Sequence, residues 1–197
     1  MACVNASGER MPPMLVVRGK TTKSLYGFNC DEAPPNTVWT YQECAWMNDE
    51  AAENSFENVF LKNCGPERPQ LLLLDGHGSH ESITLSELAQ RKHCNIRFSP
   101  HTIHLLQPLA VFGPINKQYN SICSEFLSSA AFNIVNDWTF PGIFRQAWYL
   151  GVTKENIVSG FRGCGISPLN REAIPVSAYL PSDPFDKPFH DRRANEN

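Results

Sequence analysis

One acidic residue stands directly after the most apolar run of the chain. Leu71–Leu74 is followed by Asp75, and glycines at positions 76 and 78 flank His77. A short apolar run bounded by turn residues is typical of a buried parallel strand, and α/β proteins place their sites at the carboxyl ends of such strands. A partly desolvated carboxylate requires a cation or several N–H donors. Asp75 therefore either binds a cation or caps the turn or helix that follows.

Histidines follow the same run and the next predicted strand. His77 and His80 come just after Asp75, and His101 and His104 lie beyond the neighbouring strand. Since parallel strands end at one rim of a sheet, these side chains together have the chemistry of a zinc or iron site. Both His-x-x-His pairs fall in turns, however, where no helix fixes the ligand geometry. We therefore favour hydrogen-bonding loop histidines over a metal centre.

The elements around these residues predict one βαβ unit. Strands are expected at Gln70–Leu74 and Asn95–Ser99, with a helix over Ser82–Arg91 between them. Such a crossover is normally right-handed and joins parallel strands. Upstream, strands at 2–6 and 14–18 form a hairpin, and Thr37–Trp39 adds a further short strand.

The other predicted helices share apolar side chains spaced three or four residues apart. They are expected over Asn48–Lys62, from Pro114 along a stripe reaching Leu127, over Phe140–Leu150, and over Lys154–Phe161 with Thr153 as its cap. The fold class is therefore α/β with a helical C-terminal half. The polar, proline-rich residues 176–197 are expected to form a disordered tail.

Composition excludes two classes of protein. No apolar run approaches the roughly 18 residues of a membrane helix, and the N-terminal residues lack the pattern of a secretory signal. Seven widely spaced cysteines indicate free thiols in a reducing compartment. The net charge is −3, but residues 31–61 hold seven acids and no Lys or Arg, whereas residues 88–124 hold no acid. This polarity predicts a positive face beside a negative one.

Several ordered motifs together carry a family resemblance. They are Ala2–Met14, Leu71–His80, Pro100–Leu109, Val111–Pro114 and Asn156–Asn170. On these motifs the chain resembles the DDE superfamily endonuclease domain of pogo/Tigger-type transposases, a domain that also occurs in jerky-like proteins and centromere protein B. The resemblance covers residues 1–175 and implies a partial, truncated copy of that domain.

The resemblance implies an RNase H-like mixed sheet whose three acids hold two Mg²⁺ ions for cutting or joining DNA. Asp75 matches the second acidic position. The first would precede Met1, and the third would follow Gln107-Pro108-Leu109, where this sequence has no acid. Because one carboxylate cannot neutralise two adjacent cations, we expect Mg²⁺ to bind weakly or not at all, and the chain by itself to be inactive.

The same comparison implies that the sheet lacks its first strand. That strand would lie beside Leu71–Leu74, which is then left with an unpaired edge whose backbone groups are costly to bury. Either another segment such as Thr37–Trp39 takes that place, or the sheet is paired differently, or the chain is only marginally stable.

The leading functional hypothesis is a nuclear, transposase-derived protein that binds DNA weakly and largely without sequence specificity. The candidate phosphate contacts are the basic side chains Arg18, Lys20, Lys23, Arg97 and Lys117. The alternative for each is an ordinary solvated charge. No helix-turn-helix module precedes the domain in this sequence, so no sequence-reading head is expected.

Two other functions remain open. A domesticated structural protein would pair with itself or with a related transposase chain through the aromatic-rich helical half, although such aromatics more often lie in the core. These aromatics are Phe126, Phe132, Trp138, Phe140, Phe144, Trp148 and Tyr149. An active nuclease would need acids supplied by a partner chain. No membrane partner is expected.

Overall fold

The computed structural model of the chain describes residues 1–74, 83–94, 96–97 and 111–175. Asp75, the four loop histidines and the tail predicted at 176–197 lie outside these residues. The described part contains four short strands, two 3-10 turns and a set of helices that build the rest of the fold.

The N-terminal segment folds back on itself around a glycine turn. Gly8 has a φ of 89°, which a residue without a side chain adopts at least cost. The two arms exchange hydrogen bonds between Met1 and Met14, and a single antiparallel bridge joins Val4 to Arg10. The chain folds back as predicted, but the predicted hairpin of strands 2–6 and 14–18 is wrong: residues 3–5 bond with residues 9–11, because the prolines at 12 and 13 lack the N–H groups of a regular ladder.

Two parallel strands follow this fold-back. Strand β1 (Met14–Arg18) pairs with β2 (Val38–Gln42), with Met14 opposite Val38. Between them lie 3-10 turns at Thr22–Leu25 and Cys30–Glu32. The strand predicted near Thr37–Trp39 is thus confirmed, but it pairs with β1 and not with the leucine run.

A continuous helical segment packs beneath these strands. Helix α1 (Asp49–Ser55) passes through a π-helical turn, Phe56–Phe60, into the short α2 (Leu61–Asn63). Its N-cap is Asn48, whose side-chain oxygen accepts the N–H of Ala51 at 2.9 Å. The predicted apolar face is confirmed, because its four members at positions 52, 56, 59 and 60 are all buried. The helix thereby supplies the floor of the N-terminal half.

The predicted βαβ unit is present with shorter strands. Strand β3 (Leu73–Leu74) pairs in parallel with β4 (Ile96–Arg97), and α3 (Ile83–Arg91) lies between them in the chain. Full burial of the leucine run is wrong: Leu71 is 60% exposed and the next three leucines are half-buried. Among the described strands β3 has one neighbour only, so its other side is left without a covering strand.

Three helices form the C-terminal half. They are α4 (Phe112–Ser129), α5 (Phe140–Gly151) and α6 (Lys154–Gly163). Their shared core contains Val111, Ile115, Ala147, Trp148, Val152, Ile157 and Phe161. The stripe predicted on α4 is buried only near its N-terminal end, and Leu127 is 51% exposed. At about 1.5 Å per residue α4 is longer than the helices that pack on it, so its last turns reach solvent.

Residues of the N-terminal fold-back and of the βαβ unit line one cleft. It has a volume of about 730 Å³, and its lining includes residues 1–6 and Leu71–Leu74. Phe56, Val59 and Phe60 form part of its wall, and Phe161 reaches it from α6. The open side of β3 therefore faces a mostly apolar space.

Candidate nucleic-acid interface

Three of the predicted phosphate contacts lie on one exposed segment. Arg18 is the last residue of β1, Lys20 follows it, and Lys23 lies in the 3-10 turn Thr22–Leu25. All three side chains are exposed. The segment is held against β2 by the hydrogen bond from the Gly19 N–H to the Gln42 carbonyl at 2.9 Å. The fold thus brings three positive charges together at the end of the parallel pair.

One of these charges already has a partner. The Lys20 Nζ lies 3.2 Å from Glu43 Oε1, and both side chains are largely exposed. Such a surface pair contributes at most about 1 kcal/mol, so it can open, but it reduces the charge offered to a phosphate. Arg18 and Lys23 have no ion-pair partner among the described residues and are the stronger candidates.

Lys117 lies on the exposed side of α4, in a different part of the fold. Two residues later Tyr119 turns inward and its ring lies 6.1 Å from that of Phe140 on α5. A column of aromatic rings continues from there to β2: Phe140 to Phe28 is 6.5 Å and Phe28 to Trp39 is 5.5 Å between centroids. The column fixes the helical half against the strands that carry Arg18.

Neither this aromatic column nor a second contact, between the fold-back and α5, was predicted from the sequence. Arg10 lies over the Tyr149 ring at 4.6 Å and donates a hydrogen bond to the Val152 carbonyl, which joins the fold-back to the end of α5. Arg145 lies 3.9 Å from Glu32 and adds an exposed ion pair between α5 and the second 3-10 turn. The high aromatic content was visible in the sequence, but the partners come from segments more than 100 residues apart.

Arg97 is placed by its backbone beside the predicted catalytic edge. In the β3–β4 pair, Arg97 is the register partner of Leu74, the residue that precedes Asp75. The side chains of residues 95–100 are not described, and neither is Asp75. The parallel register supports the expectation that the ends of these two strands share one rim, and the role of Asp75 stays a prediction.

The described residues contain no group of three or more His, Cys, Asp or Glu side chains able to hold a metal ion. The predicted Mg²⁺ ligand Asp75 and the predicted histidine cluster lie outside that part of the chain. No set of ligands for a catalytic metal is therefore found among the described residues.

The cysteines are free thiols, as the sequence predicts. All seven cysteines are free, and Cys94 and Cys164 are buried. Burial, with a smaller contribution from the neighbouring Cys64, raises the pKa of the Cys3 thiol to about 11. Because the thiolate is the reactive form, Cys3 is a packing residue and not a nucleophile at neutral pH.

Within the residues that the structure describes, no helix is both long and apolar enough to cross a membrane.

The chain is similar to a protein of Cochliobolus lunatus named MFS-type transporter clz9, with 29% identity over 178 residues. The match covers 87% of this chain but only 19% of the relative, so the chain spans about a fifth of that protein. No solved structure gives a significant match.

A family comparison matches most of the chain. The model of the DDE superfamily endonuclease domain matches residues 1–161, which include the fold-back, the βαβ unit and most of the three C-terminal helices. Proteins of this family generally act on DNA and use a divalent metal, and the family domain implies an RNase H-like fold. The chain belongs to the DDE superfamily endonuclease family.

Proposed function

We propose that this chain is a transposase-derived domain of the pogo/Tigger type that holds DNA through its phosphate backbone and does not cut it unaided. Family membership supports the DNA partner. The single observation that carries the proposal further is the exposed basic segment at the end of β1, where Arg18 and Lys23 are free to meet phosphates.

Few contacts imply weak binding that depends steeply on salt. The net charge of −3 gives no long-range attraction to DNA. Three phosphate contacts, from Arg18, Lys23 and Lys117, correspond to a slope of about −2.7 for log affinity against log salt. Between about 50 and 200 mM salt the affinity then falls about 40-fold. No base-reading element is assigned, so the affinity should be the same for unrelated sequences of equal length.

A matched pair of variants tests this assignment. R18Q/K23Q removes the two charges that have no ion-pair partner among the described residues, whereas R162Q/R171Q removes two exposed positive charges elsewhere and changes the net charge equally. Fluorescence anisotropy with a labelled duplex across a salt series should give a slope near −0.9 for the first variant and near −2.7 for the second. Equal slopes for both variants would contradict the assignment.

The absence of unaided cleavage rests on the acids of the sequence. Asp75 matches the second acidic position that the resemblance implies, but no acid follows Gln107-Pro108-Leu109 at the third position, and residues 88–124 contain no substitute. A single carboxylate with water holds Mg²⁺ weakly, because this ion dehydrates reluctantly. Acids from a partner chain would restore the pair of metals, and cleavage would then rise with the second power of protein concentration.

The proposal includes a nuclear location, which suits a DNA partner. The transporter name belongs to a relative of which this chain spans about a fifth, and the matched family domain is an endonuclease domain. A fluorescent fusion of the chain, imaged with a DNA stain, tests the location. Uniform exclusion from the nucleus would contradict it.

A second candidate function is self-association through the helical half. The loop between α4 and α5 exposes Phe132 by 93%, Ile134 by 65% and Trp138 by 58%. The prediction that such aromatics lie in the core is wrong for Phe132 and Trp138 and also for Tyr149, which is 42% exposed, although it holds for Trp148. Contiguous apolar exposure of this kind favours a protein contact.

A further inference from the structure

Two strongly exposed aromatic rings belong to the loops that follow β1 and β2. Tyr26 comes directly after the 3-10 turn Thr22–Leu25 and is 77% exposed, and Trp46 lies four residues beyond the end of β2 and is 72% exposed. Neither ring packs against another aromatic ring within the described part of the chain. Because large aromatic side chains are on average well buried, two rings this exposed beside a basic segment indicate a binding surface.

Tyr26 shares one face of its turn with Lys23. The two residues are three positions apart, and the Tyr26 N–H donates to the Lys23 carbonyl at 3.1 Å. Side chains at this spacing in a 3-10 turn lie one above the other. The turn packs directly on the end of β1, where the Ser24 side chain leaves no room for a side chain at Gly19. A positive charge and an aromatic ring are therefore held next to each other on a fixed stretch of backbone.

Trp46 is held close to the same segment by the loop after β2. The Ala45 N–H donates to the Gln42 carbonyl at 3.0 Å, which closes a tight turn directly before Trp46. Glu43 in this turn forms the ion pair with Lys20 at 3.2 Å. The two loops therefore lie side by side, with a ring and the positive charges on the first and a ring on the second.

The two loops carry charges of opposite sign. The first carries Arg18, Lys20 and Lys23, whereas the second carries Glu43 and leads to exposed acids at positions 49 and 50. A phosphate backbone is therefore attracted to the first loop and repelled by the second. A duplex has phosphates on both of its edges and keeps its bases stacked inside, away from the rings. A single strand has phosphates along one side and free bases along the other, which matches positive charges beside two aromatic rings.

We propose that the DNA held at this basic segment is unpaired and stacks two of its bases on Tyr26 and Trp46. The preference rests on the proposed DNA-binding function and narrows its substrate from DNA in general to single-stranded DNA. Arg18 and Lys23 contact the phosphates. The rings accept any base, because every base has an aromatic face, so the site prefers unpaired DNA without reading its sequence.

The probe is a fluorescein-labelled DNA strand of about 12 nucleotides, used alone and annealed to its complement. Anisotropy titration of the whole chain at low salt should show at least about tenfold tighter binding of the single strand, which corresponds to about 1.4 kcal/mol of stacking. Equal affinities, or tighter binding of the duplex, would overturn this preference and leave the proposed DNA binding in place. Binding of neither form would overturn both.

Matched variants assign the preference to these two rings. Y26A/W46A should lower the affinity for the single strand at least about tenfold and leave the affinity for the duplex unchanged, whereas Y26F/W46F, which keeps both rings, should bind as the parent chain does. I83A/L169A removes two apolar side chains of similar exposure, 78% and 80%, and should change neither affinity. A single strand that binds Y26A/W46A as tightly as it binds the parent chain would overturn the proposal.

Trp46 also reports the stacking directly. Addition of the single strand should quench the tryptophan emission of the parent chain, and most of this quenching should disappear in Trp46→Phe. Undiminished quenching in that variant would place the contact elsewhere and overturn the proposal. An RNA strand of the same sequence that binds more tightly than the DNA strand would overturn it as well, because the occupant would then be RNA.

Discussion

At Gly151, helix α5 packs directly against the backbone of α4, which allows a sharp test of this packing. It is the last residue of α5 and is buried. A Cβ atom added there would lie 2.7 Å from both the backbone N and the Cα of Ile115, and 2.9 Å from its Cγ1. Backbone atoms cannot rotate away, so α4 would have to shift relative to α5. Helix α4 carries Lys117, and Phe140 of α5 belongs to the aromatic column. The contact at Gly151 therefore also affects the position of the proposed interface.

We expect Gly151→Ala to lower the free energy of unfolding by about 1–2 kcal/mol. Overpacking of a well-packed contact costs about 1–3 kcal/mol, and the better helix propensity of alanine returns up to about 1 kcal/mol. For a chain of this size each 1 kcal/mol corresponds to about 2–4 °C in the melting temperature. Urea denaturation measures the change as a lower midpoint with an unaltered slope.

The same helix offers a matched control at Gly142. A Cβ there would meet only Glu32 side-chain atoms, at 3.8 and 3.9 Å, which is ordinary contact. Gly142→Ala should therefore raise stability by about 0.5–1 kcal/mol, because glycine in a helix costs that much relative to alanine. If Gly151→Ala is as stable as the parent chain while Gly142→Ala gains as expected, the α4–α5 contact is not as the structure has it.

Four shorter predictions concern other parts of the molecule. Thr153→Ala removes the side-chain oxygen that accepts an N–H at 3.2 Å at the start of α6 and should cost about 1 kcal/mol in urea denaturation. Burial raises the pKa of the Cys3 thiol from 9.0 to about 11, so between these pH values the folded state keeps a proton that the unfolded state loses. The contribution of this thiol to the free energy of unfolding is therefore full below pH 9 and declines towards pH 11. A Cys3→Ala variant should lack that part of the decline. Iodoacetamide at pH 8.5 should accordingly label the exposed Cys44 well before Cys3, as peptide mass spectrometry can follow. Replacing Phe132 and Trp138 together by serine should abolish any dimer seen by sedimentation velocity without lowering stability, and a dimer that survives would exclude this loop as the contact.

The elements that depend on side chains a few residues apart were predicted from the sequence. The 3.6-residue spacing identified the helices, the Thr153 cap is observed, and the apolar run followed by a helix predicted the parallel β3–β4 pair. These features depend on side chains a few residues apart. The π-helical turn at Phe56–Phe60 had no such signal, because its spacing differs from a regular helix over one turn only.

Features that depend on distant partners were less predictable. Four consecutive leucines indicate an apolar strand, but whether both faces are buried depends on a neighbouring strand, and here one side borders a cleft. The aromatic column likewise joins Trp39 to α5 across a hundred residues of chain. Of the candidate site, the exposure of Arg18, Lys23 and Lys117 is observed, the ion pair of Lys20 was not foreseen, and the role of Asp75 stays a prediction.

Supercoiled-plasmid nicking in Mg²⁺ or Mn²⁺ is the decisive assay for a chain that is inactive on its own, since one acid cannot hold a pair of catalytic metals. We expect the purified chain to bind the plasmid at low salt and to leave it supercoiled over the whole concentration range. Nicking that is first order in protein and disappears in Asp75→Ala would contradict it, because the chain would then possess a complete catalytic centre of its own.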